Sequence, residues 1–84
     1  MTVTTDTELL TTVVREIGVF LETDTSHLRP DSSLTAELDN MNSLKLYEMM
    51  LYLEDAIGFS FDEKVVDRLD TVQDLVDYIR ERLR

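Results

Sequence analysis

Apolar residues in this chain recur at spacings of three and four, a period that builds helices and leaves no room for a sheet. Leu9, Leu10, Val13, Val14, Ile17, Phe20 and Leu21 fall on one stripe of a helix over Asp6–Leu21, because a turn of about 3.6 residues returns positions i, i+3 and i+4 to the same side. Thr5 or Asp6 is placed to cap its start, and Glu8 suits the positive end of the helix dipole. A second helix is expected over residues 43–57, stopped by Gly58. After the short packed connection Phe59-Ser60-Phe61, a brief third helix over 62–69 holds Val65, Val66 and Leu69. Thr71 caps the last helix, with Asp74 three residues on making a box-like start. Val72, Leu75, Val76, Ile79 and Leu83 form its buried stripe, and Arg80, Arg82 and Arg84 suit its C-terminal end. No stretch alternates with the two-residue period of a strand. The expected fold is all-α, a small four-helix bundle of three longer helices and one short one.

Residues 22–42 form a long connection between the first two helices. It carries the only proline, Pro30, the turn-forming Asp31-Ser32-Ser33, and the apolar residues Leu28, Leu34, Leu38 and Met41. So long a connection in 84 residues needs those apolar residues as anchors in the core.

Composition narrows the function. One domain spanning 1–84 is expected, with no internal repeat, and a chain that starts at Met1 and ends at Arg84 without a linker reads as a free-standing protein. There is no cysteine, so disulfides, thiolate zinc sites and cysteine nucleophiles are excluded, and a reducing, cytoplasmic setting fits. The acids number 18 against 8 basic residues, for a net charge of −10. Such a field repels nucleic acid and anionic lipid and attracts basic protein surfaces, or simply keeps the chain soluble. Residues 1–8 are polar and Thr-rich, and no segment reaches the roughly 18 apolar residues of a membrane span.

The second helix has two apolar faces. At about 100° per residue, Leu46, Met49, Met50, Leu53 and Ile57 lie on a stripe wide enough for the core. Leu44, Tyr47 and Leu51 form a narrower cluster roughly 120–140° away. Glu48 and Asp55 flank that cluster on one side and Glu54 on the other, a pattern suited to a partner with a hydrophobic depression ringed by Arg and Lys. The competing reading packs Leu44, Tyr47 and Leu51 under the long loop and leaves the acids solvated.

Asn42-Ser43-Leu44 opens this helix, with Asn42 as N-cap and Ser43 as the first helical residue. A phosphate esterified to the Ser43 hydroxyl would lie at the positive end of the helix dipole, with Lys45 in the same turn to help neutralise it. By local pattern alone, a serine at a helix start is a cap and nothing more.

The run Asn40-Met41-Asn42-Ser43-Leu44, then Glu48, Leu53-Glu54-Asp55, Phe61, Thr71-Val72-Gln73-Asp74 and Asp77-Tyr78-Ile79 strongly resembles the acyl carrier protein family. That family's attachment motif reads Gly-x-Asp-Ser-Leu, followed by an acidic helix and a last helix that opens on Thr-Val. The resemblance runs without a gap from Ser43 to Ile79, while the first helix and long loop match in layout more than in residues. It implies 4′-phosphopantetheine attached to Ser43, with Asn42 and Leu44 flanking it in the cofactor-binding motif. It further implies acyl groups held as thioesters on the terminal thiol, a carrier rather than an enzyme, and a partner-recognition helix presenting Leu44, Tyr47, Glu48, Leu51, Glu54 and Asp55. The implied partners are a phosphopantetheinyl transferase and acyl-loading and acyl-processing enzymes with basic docking patches, acting on a monomer.

Several positions depart from the family pattern. Asn42 stands where an acid is usual, keeping the capping role without the charge. Asn40 replaces a glycine, Asp39 stands where leucine is common, and Lys45 replaces an acid or polar residue. These departures point toward a specialised secondary-metabolite or lipid pathway rather than housekeeping fatty-acid synthesis. Two other readings stay open: an acidic helical interaction module with the same fold but no prosthetic group, and a peptidyl or aminoacyl carrier. His27, the only histidine, lies in a polar loop with no hydrolase motif around it and reads as solvated. Glu22, Asp24 and Ser26 lack the glycine and closing glutamate of an EF-hand.

Overall fold

Leu9, Val13 and Ile17 are almost completely buried, so the three-and-four spacing of the first segment becomes the inner face of α1 (Asp6–Leu21). The computed structural model describes residues 6–38 and 41–83. Its other α-helices are α2 (Ser43–Leu53) and α3 (Val72–Leu83), with a short 3-10 helix at Glu63–Arg68 between them. This is the all-α layout of three longer helices and one short one. Helix α1 packs on both α2 and α3, and the 3-10 helix packs on α2. The cap expected at Thr5 or Asp6 lies outside the described side chains. No helix among the described residues is long and apolar enough to cross a membrane.

The anchors of the long connection do what so long a loop requires. Leu28, Leu34, Leu38 and Met41 are all buried in the common core. The loop is also laced to the start of α3: the Leu34 N–H donates to the Asp70 carbonyl at 2.8 Å, Val72 N–H to Ser32 O at 3.0 Å, and Gln73 N–H to Pro30 O at 2.8 Å. Thr25, buried within the loop, donates its hydroxyl to the Val14 carbonyl at 2.8 Å.

Two helix ends differ from a uniform α-helical reading. Helix α2 gives way at Glu54 to one π-helical turn, Glu54–Gly58. The Phe59 N–H closes this wider turn on the Glu54 carbonyl, and Gly58 takes a positive φ of 90°, which costs a residue without Cβ little. The turn delivers Phe59 into the core and leaves Ile57 half-buried against it. At the other end of the chain, Leu83 belongs to the expected stripe but is 41% exposed; the last turn of α3 runs past the edge of the core that holds Val72, Leu75, Val76 and Ile79.

The start of α3 follows its sequence signal. Thr71 Oγ1 accepts the Asp74 N–H at 3.1 Å, and Asp74 Oδ2 accepts the Thr71 N–H at 3.1 Å and the Asp70 N–H at 3.2 Å. Each residue satisfies an amide that the helix leaves open.

Candidate functional site

The geometry at the start of α2 is set by one side chain. Asn42 has an extended backbone (φ −143°, ψ −178°), and its Oδ1 accepts the Lys45 N–H at 2.8 Å. Its carbonyl accepts the Leu46 N–H at 2.8 Å, the first bond of the helical ladder. This is N-capping as the sequence suggests, and it leaves Ser43 as the first residue of the helix, exposed to solvent. The amides of Ser43 and Leu44 belong to the first turn, which has no intrahelical acceptor for them, so the helix presents partial positive charge beside the hydroxyl. Among the described residues the Ser43 hydroxyl makes no hydrogen bond. It is not spent as a cap, and it is accessible.

Beside it runs a groove of about 540 Å³ between α2 and the 3-10 helix, lined by Ser43, Leu44, Tyr47, Glu63, Lys64, Val66 and Asp67. The 3-10 residues were not read from the sequence as part of this site. Their only signal was alternating charge in a short helix, and nothing local says that this helix folds back against Ser43. A larger groove of about 910 Å³ runs along α1 and the loop after it and shares no lining residue with the Ser43 groove.

The second face of α2 is real and outward. Leu46, Met49, Met50 and Leu53 are buried, whereas Leu44 is 67% and Leu51 43% exposed. Tyr47 is half-buried, its ring 5.7 Å from that of Phe61 on the connection after α2. Glu48 and Asp55 are exposed at the rim. Glu54 differs: its carboxylate is partly buried and accepts the Phe61 N–H at 2.9 Å. Glu48 and Asp55 are thus the exposed acids of this face, and Glu54 is half-buried with one carboxylate oxygen bonded to the connection.

Lys45 also lies elsewhere than expected. Its ammonium sits 5.2 Å from the centroid of the Phe20 ring on α1, a cation–π contact that directs it toward the first helix. His27 is exposed in its loop.

An exposed serine hydroxyl on the first turn of a helix suits a phosphodiester: the ester oxygen is accessible, and the helix end favours the negative charge. Known proteins match on the same ground. The family whose model is described as phosphopantetheine attachment site matches residues 8–79. The acyl carrier protein of Chlamydia caviae is 34% identical over 70 residues, covering 83% of this chain and 84% of that protein. Those of Chlamydia trachomatis serovar D (36% over 70 residues, 83% and 84% covered) and Acidothermus cellulolyticus (35% over 72 residues, 86% and 84% covered) are similarly related. The chain belongs to the phosphopantetheine attachment site family, whose members bear a covalently attached 4′-phosphopantetheine.

Proposed function

We propose that this chain is an acyl carrier that bears 4′-phosphopantetheine on Ser43 and hands acyl intermediates between separate enzymes. The observation that carries this reading is the Ser43 hydroxyl, exposed on the first turn of α2 with the capping taken over by Asn42. When attached, the group supplies a terminal thiol on which acyl groups form thioesters. The chain's own residues do the rest. Asn42 fixes the helix end, Ser43 offers the ester oxygen, and the first-turn amides stabilise the negative charge beside it.

On this reading Leu44 and Leu51, with Tyr47 behind them and Glu48, Asp55 and the half-buried Glu54 at the rim, form the docking face. Partners are a phosphopantetheinyl transferase and acyl-handling enzymes whose surfaces carry a hydrophobic depression edged with Arg and Lys. The chain works as a cytoplasmic monomer, and its contribution is tethering, which raises the effective concentration of the acyl group at each partner. The uncharged Asn42 before the serine supports service in a specialised pathway with a dedicated partner set.

Co-expression with a phosphopantetheinyl transferase, followed by mass measurement of the intact chain, tests the reading. A mass gain equal to the phosphopantetheine group, absent in Ser43→Ala, is expected. No gain with several transferases, or a gain that persists in Ser43→Ala, would overturn it.

A further inference from the structure

A phosphodiester on Ser43 would enter a groove that already holds two carboxylates. Glu63 and Asp67 line it, and Lys64 is the only cation among its described lining residues. Lys45, the cation nearest in sequence, is engaged over Phe20. Lys64 forms no ion pair among the described residues, and its backbone N–H donates to Asp62 Oδ1 at 3.0 Å. That bond makes Asp62 the cap of the 3-10 helix and fixes the backbone from which the ammonium projects.

Lys64 also lines a second, smaller groove of about 300 Å³, together with Asp62, Val65, Arg68, Tyr78 and Arg82. Arg82 is held there, donating from Nε to the Ser60 carbonyl at 2.8 Å with its guanidinium 5.9 Å from the Tyr78 ring centroid. Lys64, Arg68 and Arg82 thus line one groove against the single carboxylate of Asp62 among its described lining residues, on a chain of net charge −10, and Lys64 is shared between this groove and the Ser43 groove.

We propose that Lys64 is the positioning residue that pairs with the phosphodiester on Ser43 and holds the root of the arm on the 3-10-helix side of the groove. The proposal rests on the Ser43 reading above and adds the residue that orients the arm. A long flexible ammonium suits the role, since a phosphodiester offers two non-bridging oxygens to a point charge and does not demand the planar fork of an arginine.

The experiment compares unmodified and phosphopantetheinylated forms of the wild type, Lys64→Gln, Lys64→Arg and Lys64→Glu, each verified by mass. The readouts are the Tm difference between the two forms and the phosphorus resonance of the modified form. In the wild type the modified form should gain about 1–5 °C relative to its counterpart in Lys64→Gln. Lys64→Arg should restore most of that gain and Lys64→Glu should reverse it. The gain should vanish in about 1 M salt, where the screening length is about 3 Å. The phosphorus resonance should move in Lys64→Gln and stay in place in Arg68→Gln. A merely structural role for Lys64 would shift both forms equally. If modification succeeds but the Tm difference and the phosphorus resonance are the same with and without Lys64, the pairing is wrong while the Ser43 reading stands. If no mass is gained at Ser43, both fall together.

Discussion

The Glu54 carboxylate accepts the backbone N–H of Phe61 across seven residues of sequence, at 2.9 Å. This bond spans the π-helical turn and pins the connection that carries Phe61 against Tyr47. A charge-assisted bond of this kind contributes about 1–2 kcal/mol. Glu54→Ala should therefore lower Tm by about 5–10 °C, and Glu54→Gln, which keeps an acceptor oxygen, should lose clearly less. Thermal denaturation followed by circular dichroism decides it. Equal losses in the two variants would mean that a neutral acceptor does not replace the carboxylate, whereas a Glu54→Gln variant as stable as the wild type would mean that the charge adds nothing to the bond.

Asn42 offers a separate test at the other end of α2. Its Oδ1 takes the Lys45 amide, and removing an N-cap side chain costs about 1 kcal/mol. Asn42→Ala should lower Tm by about 4–8 °C, while Asn42→Asp keeps the acceptor and adds charge favourable to the helix end. Asn42→Asp should thus be at least as stable as the wild type when unmodified. Once Ser43 bears a phosphodiester its advantage should shrink, because two negative charges then crowd one turn. Melting curves of both forms measure the difference.

Local signals carried far in this chain, and their failures share one cause. The bounds of α1, the core face of α2, the loop anchors and the Thr71–Asp74 cap all follow from residues within a few positions of each other. Ser43 and its capping neighbour were legible for the same reason. Glu54, Lys45 and Lys64 were not. The fate of Glu54 depends on where residues 59–61 fold back, that of Lys45 on Phe20 approaching from α1, and that of Lys64 on a 3-10 helix docking beside Ser43. Each is a contact between segments distant in sequence, which periodicity does not encode. The π-helical turn was likewise hidden, since Gly58 signals a stop but not the wider winding before it.

Gly18 lies where α1 meets the loop that follows it. A Cβ there would stand 2.8 Å from Thr25 Oγ1 and 3.0 Å from the Thr23 carbonyl oxygen, and Thr25 is held in place by its bond to Val14 O. Overpacking of this sort costs about 1–3 kcal/mol, more than the roughly 1 kcal/mol of helix propensity that alanine gains over glycine. Gly18→Ala should be net destabilising by denaturant melts. Adding Thr25→Ala should recover part of the loss beyond additivity, because it removes the clashing oxygen.

Tyr52 links α2 to α1: its hydroxyl donates to Glu16 Oε1 at 2.9 Å and its ring lies 5.5 Å from that of Phe20. The bond to Glu16 holds the phenol above its ordinary pKa of 10.0, with desolvation and the Glu16 charge acting in the same direction. A folded pKa raised above the unfolded one gives stability that is fully present below about pH 10 and is lost as pH rises through the folded value. Tyr52→Phe should flatten that alkaline decline and remove the matching phenolate absorbance change. An alkaline stability curve identical in the two proteins would show that the bond to Glu16 is not what sets the decline.

The proposed docking face makes the most direct prediction about function. Leu44, Glu48 and Asp55 are exposed, so changing them should leave stability within about 0.5 kcal/mol of the wild type. Binding should respond quite differently. Reversing the charge of both Glu48 and Asp55 to Lys replaces two attractions to a basic partner with two repulsions, a loss of roughly tenfold in affinity at low salt. The loss should fall mainly on the association rate and fade as salt rises. Leu44→Ala should instead speed dissociation, in a way that salt does not mask, because it removes an apolar anchor. A phosphopantetheinyl transferase is the probe, with binding followed by surface plasmon resonance across a salt series. Charge reversals that leave the association rate unchanged and salt-independent would exclude Glu48 and Asp55 from the contact and move the partner's footprint off this face of α2.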